Sequence, residues 1–334
     1  MNVQTIKLTD FVLNSARKYL KENNYTEVVV PRIVRASGAC ENINTLFEVS
    51  SENNFNWFGG NKAYLAQTGQ LYLEALVPKL GNVYCIGPSF RAEPKADDRH
   101  LTEFQMIEIE HPGGFSELLN YIEGMVSSIA HDIAKHGKAQ EEFGLSDERL
   151  QKLSSCPKVF QKINYDQAIE KLKVLGEVIE WGDDISSAQE KMLVEAFGNE
   201  PLFITRFPDP MYDFGKPVEV EKFFNMLPDK ETPGRVLSSD LILPHGGEAV
   251  GSAARVHEWQ TLVARLKNSR MFKRLLERGG GLSDFEWYIN QVKENGAVPH
   301  AGCGFGMARI MQWIQGSSSI RQAVAFPSNK ESLI

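Results

Sequence analysis

The chain has 334 residues, 42% hydrophobic and 24% charged, with a formal net charge of -7. That is enough apolar material for a full core, and it excludes a disordered polymer. The acidic balance argues against charge-driven binding of nucleic acid over the whole surface and confines any polyanion to a local basic cleft. No apolar run approaches the ~20 residues of a membrane span, and the N-terminus lacks the basic-then-apolar order of a signal peptide, so a cytoplasmic location is expected. Cys40, Cys85, Cys156 and Cys303 are scattered, with no CxxC pair and no histidine at ligand spacing, which indicates neither disulfides nor zinc.

In chain order, the spacing predicts a helix capped by Thr9 or Asp10 and carrying Phe11, Val12, Ala16, Tyr19 and Leu20 on one face. Tyr25 to Val30 then reads as a strand stopped by Pro31. Residues 83–110 hold two strand-length runs, VYCIGPSFRAE and HLTEFQMIEIE, joined by the polar turn PKADDR, the pattern of an antiparallel hairpin. A helix over 116–136 carries Leu118, Leu119, Ile122, Met125, Val126, Ile129 and Ile133 on one face and stops at Gly137. The acidic-polar stretch that follows, about 137–160, is expected to be a helical excursion from the core. Further helices are expected at about 166–175, 187–197, 257–277 and 284–295.

Three stretches carry chemistry. In an extended strand Arg91 and Glu93 share a face, and Arg99 and His100 return across the turn. The arginine forks suit phosphate, although pairing with Asp97, Asp98 and Glu103 on a surface hairpin explains the same spacing. Gly302, Gly304 and Gly306 alternate ahead of Arg309, which allows close approach of a ligand or of a neighbouring strand. Asp240 and Glu248 flank a glycine-rich turn; two such carboxylates either share a hard cation such as Mg2+ or stand solvated.

FRAE, RHLTEF and GCGFGMAR resemble motifs 2 and 3 of class II aminoacyl-tRNA synthetases, and VVVPRI resembles motif 1. AQTGQLYLEA, EWGDDI, FEWYI and VPHAGCGFGMAR place the resemblance in the asparaginyl/aspartyl subgroup, nearest the asparaginyl enzymes, from about residue 8 onward. The resemblance implies an α+β fold, an antiparallel sheet flanked by helices, with a homodimer formed through the region of Pro31. It implies an ATP site in which Arg91 holds the α-phosphate and the attacked carboxylate, Arg99 and His100 hold the outer phosphates, Glu93 reads the adenine edge, and Phe104 and Arg309 sandwich the ring. Arg91 and Arg309 would be the catalytic pair, and Asp240 and Glu248 the Mg2+ ligands. On the amino-acid side it implies Glu41 and Gln70 for the substrate ammonium, with Arg255 and Glu74 for the side chain. Leu73 stands where aspartyl enzymes place a lysine, which favours asparagine over aspartate.

Some features depart from that pattern. The resemblance starts at the catalytic domain, so the N-terminal barrel that reads the anticodon in this subgroup is not expected here, an architecture similar to the archaeal asparagine synthetase-related enzymes. The expectation is therefore a single catalytic domain over 1–334 that activates asparagine, a close analogue or aspartate with ATP and Mg2+, and passes the acyl group to a small amine instead of tRNA. Asparagine synthesis from aspartate and ammonia, residual tRNA charging and a regulatory pseudo-synthetase are the alternatives. GSAARV replaces the family's GGSQRE, so Ala253 and Ala254 are expected to widen the side-chain pocket. Asn42 and Ile43 stand where the mobile loop usually has glycines, and KENG, with Glu294 and Asn295, replaces RRYG.

Overall fold

The computed structural model describes residues 2–36, 42–51, 57–94 and 97–332. Its strands are β1 (Thr26–Glu27), β2 (Ile33–Val34), β3 (Glu48–Val49), β4 (Ala63–Leu65), β5 (Val83–Phe90), β6 (Glu103–Pro112), β7 (Gln161–Asn164), β8 (Leu202–Thr205), β9 (Ser238–Leu243), β10 (Gly247–Ala254) and β11 (His300–Gly306). Eight of them form one sheet in the order β1-β5-β6-β11-β10-β9-β8-β7, and β2-β4-β3 form a small second sheet. Only the outer pairs of the large sheet, β1 with β5 and β7 with β8, are parallel. The antiparallel sheet flanked by helices is the α+β class expected.

The hairpin expected over 83–110 forms, with Val83 opposite Glu110 and Phe90 opposite Glu103. Its strands are shorter than the two runs: β5 ends at Phe90 and β6 begins at Glu103, so Arg91, Glu93, Arg99 and His100 lie in the connecting loop and not on a strand. Period-two alternation then divides β6. Ile107 and Ile109 enter the main core, whereas Phe104, Met106, Glu108 and Glu110 line a cavity.

The main core is built by two long helices, α1 (Val3–Glu22) and α3 (Phe115–Lys135). Leu8, Val12, Ala16 and Leu20 of α1 and Ile122, Met125, Val126 and Ile129 of α3 are almost wholly buried with Tyr84, Ile107, Ile109, Ala301 and Phe305 of the sheet. Each large side chain buried this way contributes roughly 1.5–3 kcal/mol. The start of α1 departs from expectation: Asn2 is the N-cap, its side chain accepting from the Gln4 and Thr5 amides. An asparagine there leaves Thr9 free to bond back to the Thr5 carbonyl inside the helix. The first strand is also shorter than its β-branched run suggests: only Thr26 and Glu27 pair with β5, and Val29 beyond them is 98% exposed.

The stretch after α3 forms two short helices, α4 (Ala139–Phe143) and α5 (Asp147–Ser154). They do not leave the core: Ala139, Phe143, Leu145 and Leu153 are buried in it. Most of the sparse apolar residues of this polar segment fall on the inner face, Val159 excepted, which composition alone hides. Helix α6 (Tyr165–Val174) covers β7 and β8 and α7 (Ser187–Ala196) packs beside it on β9 and β10, each opened by a reciprocal capping box from Asn164 and Ser186.

The run expected as one helix over 257–277 is two, α8 (Trp259–Asn268) and α9 (Arg270–Glu277). Ser269 breaks it by accepting from the Phe272 amide as an N-cap. With α10 (Glu286–Asn295) these helices pack on the small sheet around Phe272, Leu275, Phe285 and Tyr288. Helix α2 (Gln70–Leu80) lies against β5 and β6, and α11 (Met307–Gln315) follows β11 directly. Among the described residues no helix is long and apolar enough to cross a membrane.

Candidate active site

A cavity of about 380 Å3 opens on the sheet face opposite α1 and α3. Gln70, Arg91, Glu93, Arg99, His100, Phe104, Asp240, Glu248, Arg255 and Arg309 all line it. Residues from five separate stretches thus share one space, of a size suited to a small-molecule ligand.

The phosphate-binding candidates come from the hairpin end. The Arg91 guanidinium carbon lies 5.5 Å from the centre of the Phe104 ring, a cation–π geometry that aims both at the cavity. Arg99 does not pair within its own hairpin: its Nη2 lies 3.2 Å from Glu190 of α7. His100 does pair locally, with Asp97 at 2.8 Å. The surface-hairpin explanation therefore holds for His100 and fails for Arg99, which reaches across the cavity. Arg309 enters from α11, donates to the Gly246 carbonyl at 3.4 Å, and is held below the usual arginine range, first by burial. The outcome is four cationic or potentially cationic groups around one hollow of an acidic protein.

Asp240 on β9 and Glu248 on β10 face this group. Burial first, and the neighbouring Glu248 charge in addition, push the Asp240 carboxyl up to about 7 against the pull of Lys222. Burial and Glu248 likewise push Glu190 up to about 7. The cluster is short of positive charge, and its donors are hard oxygens, which fits Mg2+ completed by phosphate oxygens. Lys222 supplies part of the missing charge, its Nζ 2.7 Å from Asp240. Among the described residues no group of three or more His, Cys, Asp or Glu is arranged to hold a metal by itself.

The far end of the cavity is a buried polar network. Arg255 donates to Glu110 through Nη2 at 2.7 Å and lies 3.9 Å from Glu74. Glu74 does not line the cavity; it sits beneath, accepting from Gln70 Nε2 (2.8 Å), Asn225 Nδ2 (2.6 Å) and the Tyr288 hydroxyl (2.5 Å), with His300 Nε2 at 3.2 Å. Four donors occupy its oxygens, so accepting from a substrate amide requires one of them to give way. Burial opposes the His300 imidazolium, but the hydrogen bond and charge of Glu74 outweigh it and raise the ring above its ordinary value.

Other sequence expectations resolve locally. A Cβ on Gly302 would overlap the Glu110 carboxylate and the Ile109 carbonyl oxygen, so this glycine serves strand packing, while Gly304 and Gly306 line the cavity. Ala253 and Ala254 are buried and do not line the cavity, so they do not widen it. Leu73 is wholly buried beside Val30, Val77 and Val83. Ile43 is buried too, in a short 3-10 turn that Asn42 caps. Glu41 lies outside the described residues. Glu110, Asp184, Glu190, Lys222, Asn225, Tyr288 and His300 were not singled out from sequence. Asp184 and Tyr288 lie within EWGDDI and FEWYI, and His300 opens the glycine run; nothing in EVEKFFNM marked Lys222 or Asn225.

The antiparallel sheet, with arginines on a hairpin and after a glycine strand facing paired carboxylates, defines the catalytic core of a class II synthetase. The chain belongs to the tRNA synthetases class II (D, K and N), whose family model matches residues 2–330. It is 35% identical over 315 residues to the asparagine–tRNA ligase of Desulforamulus reducens, covering 94% of this chain and 66% of the relative. For the asparagine–tRNA ligase of Pelotomaculum thermopropionicum the figures are 35% over 313 residues, 93% and 65%. The chain thus spans about two thirds of the length of these relatives. The asparaginyl-tRNA synthetase of Pyrococcus horikoshii complexed with asparaginyl-adenylate superposes with a TM-score of 0.82 at 32% identity, over 99% of this chain and 69% of that one. An aspartyl-tRNA synthetase from Entamoeba histolytica is more distant, with a TM-score of 0.74 at 25% identity, over 99% of this chain and 59% of that one.

Proposed function

We propose that this protein activates asparagine, or a close analogue, with ATP to give an acyl-adenylate and pyrophosphate. One observation carries the reading: Arg91, Arg99, Arg309 and Phe104 face Asp240 and Glu248 in a cavity that runs on to Gln70 and Arg255. The solved relative that holds an asparaginyl-adenylate supports it.

In this reading the amino-acid carboxylate attacks the α-phosphorus in line while pyrophosphate departs, and no protein nucleophile is required. Arg91 neutralises charge on the attacked phosphate and holds the attacking carboxylate, so positioning and charge stabilisation supply most of the acceleration. Phe104 and Arg309 clamp the base, Glu93 reads its edge, and Arg99 with His100 holds the outer phosphates. Asp240 and Glu248 would hold Mg2+, which supplies charge neutralisation to the triphosphate. Gln70 and Arg255 orient the amino acid from the other end.

The second half of the reaction passes the acyl group to an amine acceptor. Transfer to tRNA is the other reading, favoured by relatives that are themselves asparagine–tRNA ligases. A homodimer through the Pro31 region is part of the proposal: Val29 and Ile33 on either side of it are 98% and 52% exposed, an apolar surface suited to a partner. Pyrophosphate exchange with each amino acid tests activation; no exchange with asparagine, aspartate or close analogues sinks it. A charging assay with tRNA, run beside an amine-transfer assay with ammonia and small amines, separates the two acceptors.

A further inference from the structure

Lys222 lies between β8 and β9, and the reaction as derived gives it no part. Its ammonium is 2.7 Å from Asp240 Oδ2, with the two side chains only 14% and 13% exposed. It also sits 3.6 Å from the centre of the Phe207 ring, which favours a cation from the other side. The groups that act on this pair electrostatically are Asp184, Glu190 and Glu248. Lys222 is thus the cation bonded to the very carboxylate on which Mg2+ would depend.

Two cations cannot share that carboxylate cheaply. Side by side in a cavity of low dielectric they repel strongly, so a divalent ion gains Asp240 only if the ammonium leaves. An ammonium leaving four acidic neighbours needs another anion within reach. Lysine is a flexible point charge whose donors rotate, well suited to such an exchange. A triphosphate entering between Arg99 and Asp240 is an anion that the cavity is built to admit.

We infer that Lys222 is the resident counter-cation of Asp240 and makes entry of the divalent ion conditional on the nucleotide, whose phosphates draw the ammonium away. Lys222 is a positioning residue in this scheme: it keeps the carboxylates assembled while the site is empty and prevents free metal from occupying it. The inference rests on the ATP reading above.

The test is titration calorimetry of Mn2+ alone into the full chain, with and without a non-hydrolysable ATP analogue. The wild type is expected to bind Mn2+ at least about tenfold more weakly without the nucleotide than with it. Lys222→Met is expected to bind free Mn2+ about tenfold more tightly than the wild type and to lose most of the dependence on nucleotide. Lys222→Arg, which keeps a cation, should stay close to the wild type. Equal Mn2+ affinity in wild type with and without the analogue overturns the inference even if the variants misfold, as does an unchanged affinity in a folded Lys222→Met. If the analogue itself does not bind, the ATP reading fails and the inference with it; if it binds and Mn2+ affinity ignores Lys222, only the inference fails.

Discussion

Arg255 and Glu110 form a forked ion pair, Nε at 3.1 Å and Nη2 at 2.7 Å from the same carboxylate oxygen, with 4% and 1% of their surfaces exposed. The pair ties β10 to β6 across β11, and Gly302 makes room for it. Removing Glu110 leaves the buried Arg255 guanidinium with the more distant Glu74, 3.9 Å away, as its counter-charge. Glu110→Ala should therefore lose about 3–5 kcal/mol in denaturant unfolding, and Gly302→Ala should be destabilising through the same contact. A loss below about 1 kcal/mol for Glu110→Ala would mean that the pair is relaxed by water.

Glu74 depends on its donors in the same way. Tyr288→Phe removes one hydrogen bond to a buried carboxylate and should cost about 1.5–3 kcal/mol. Because the Asn225 amide joins Gln70 to Glu74, Asn225→Ala should weaken asparagine binding while leaving ATP binding near wild type. Equal losses for both ligands in calorimetry would contradict that placement.

The His300–Glu74 contact carries a pH signature. His300 is raised above its ordinary value in the fold, so its contribution is complete below the unfolded value of about 6.5 and is lost as pH rises through the folded value. Glu74 is lowered although burial works against it, because His300 and Arg255 outweigh burial; its contribution is present above about 4.5 and lost as pH falls. The stability difference between wild type and His300→Gln should thus be larger at pH 5.5 than at pH 8.5 in urea unfolding. A difference independent of pH would mean that the ring is neutral in the fold.

For the chemical step, Arg91→Ala should lower pyrophosphate exchange by about 10²–10³ with little change in melting temperature. Arg91→Lys should not restore it, since a point charge does not reproduce the fork. Phe104→Ala should act chiefly on the KM for ATP.

Exposed Val29 and Ile33 give the dimer proposal its own check. Sedimentation should show a dimer for the wild type and a shift towards monomer for the double variant Val29→Asp, Ile33→Asp. A wild type that is monomeric at all concentrations would remove the proposal.

That Arg91, Glu93, Arg99, His100, Phe104 and Arg309 share one cavity was legible from the short motifs that resemble those of the class II synthetases; spacing alone left the arginines equally well explained by a surface hairpin. Arg91 and Glu93 are an example: both line the cavity as expected, although they lie in the loop after β5 and not on a strand face. The other half was legible less well. Glu74 stands one helical turn from Gln70 and looked like a contact for the substrate, but donors from 151, 214 and 226 residues away close over it. Ala253 and Ala254 looked like pocket residues because Arg255 follows them, yet both are buried away from the cavity.

By itself, then, the sequence determined the hairpin and the long helices, which follow from local periodicity, while the class of fold and the pairing of Asp240 with Glu248 came from the motifs it shares with the class II synthetases and not from spacing. Tertiary structure alone decided which charges neutralise which. Arg99 went to Glu190 and not to its neighbours, Arg255 to Glu110, and Lys222 to Asp240. The reason is physical: the worth of an ion pair depends on burial and on a few ångströms of separation, and both arise only when distant strands meet.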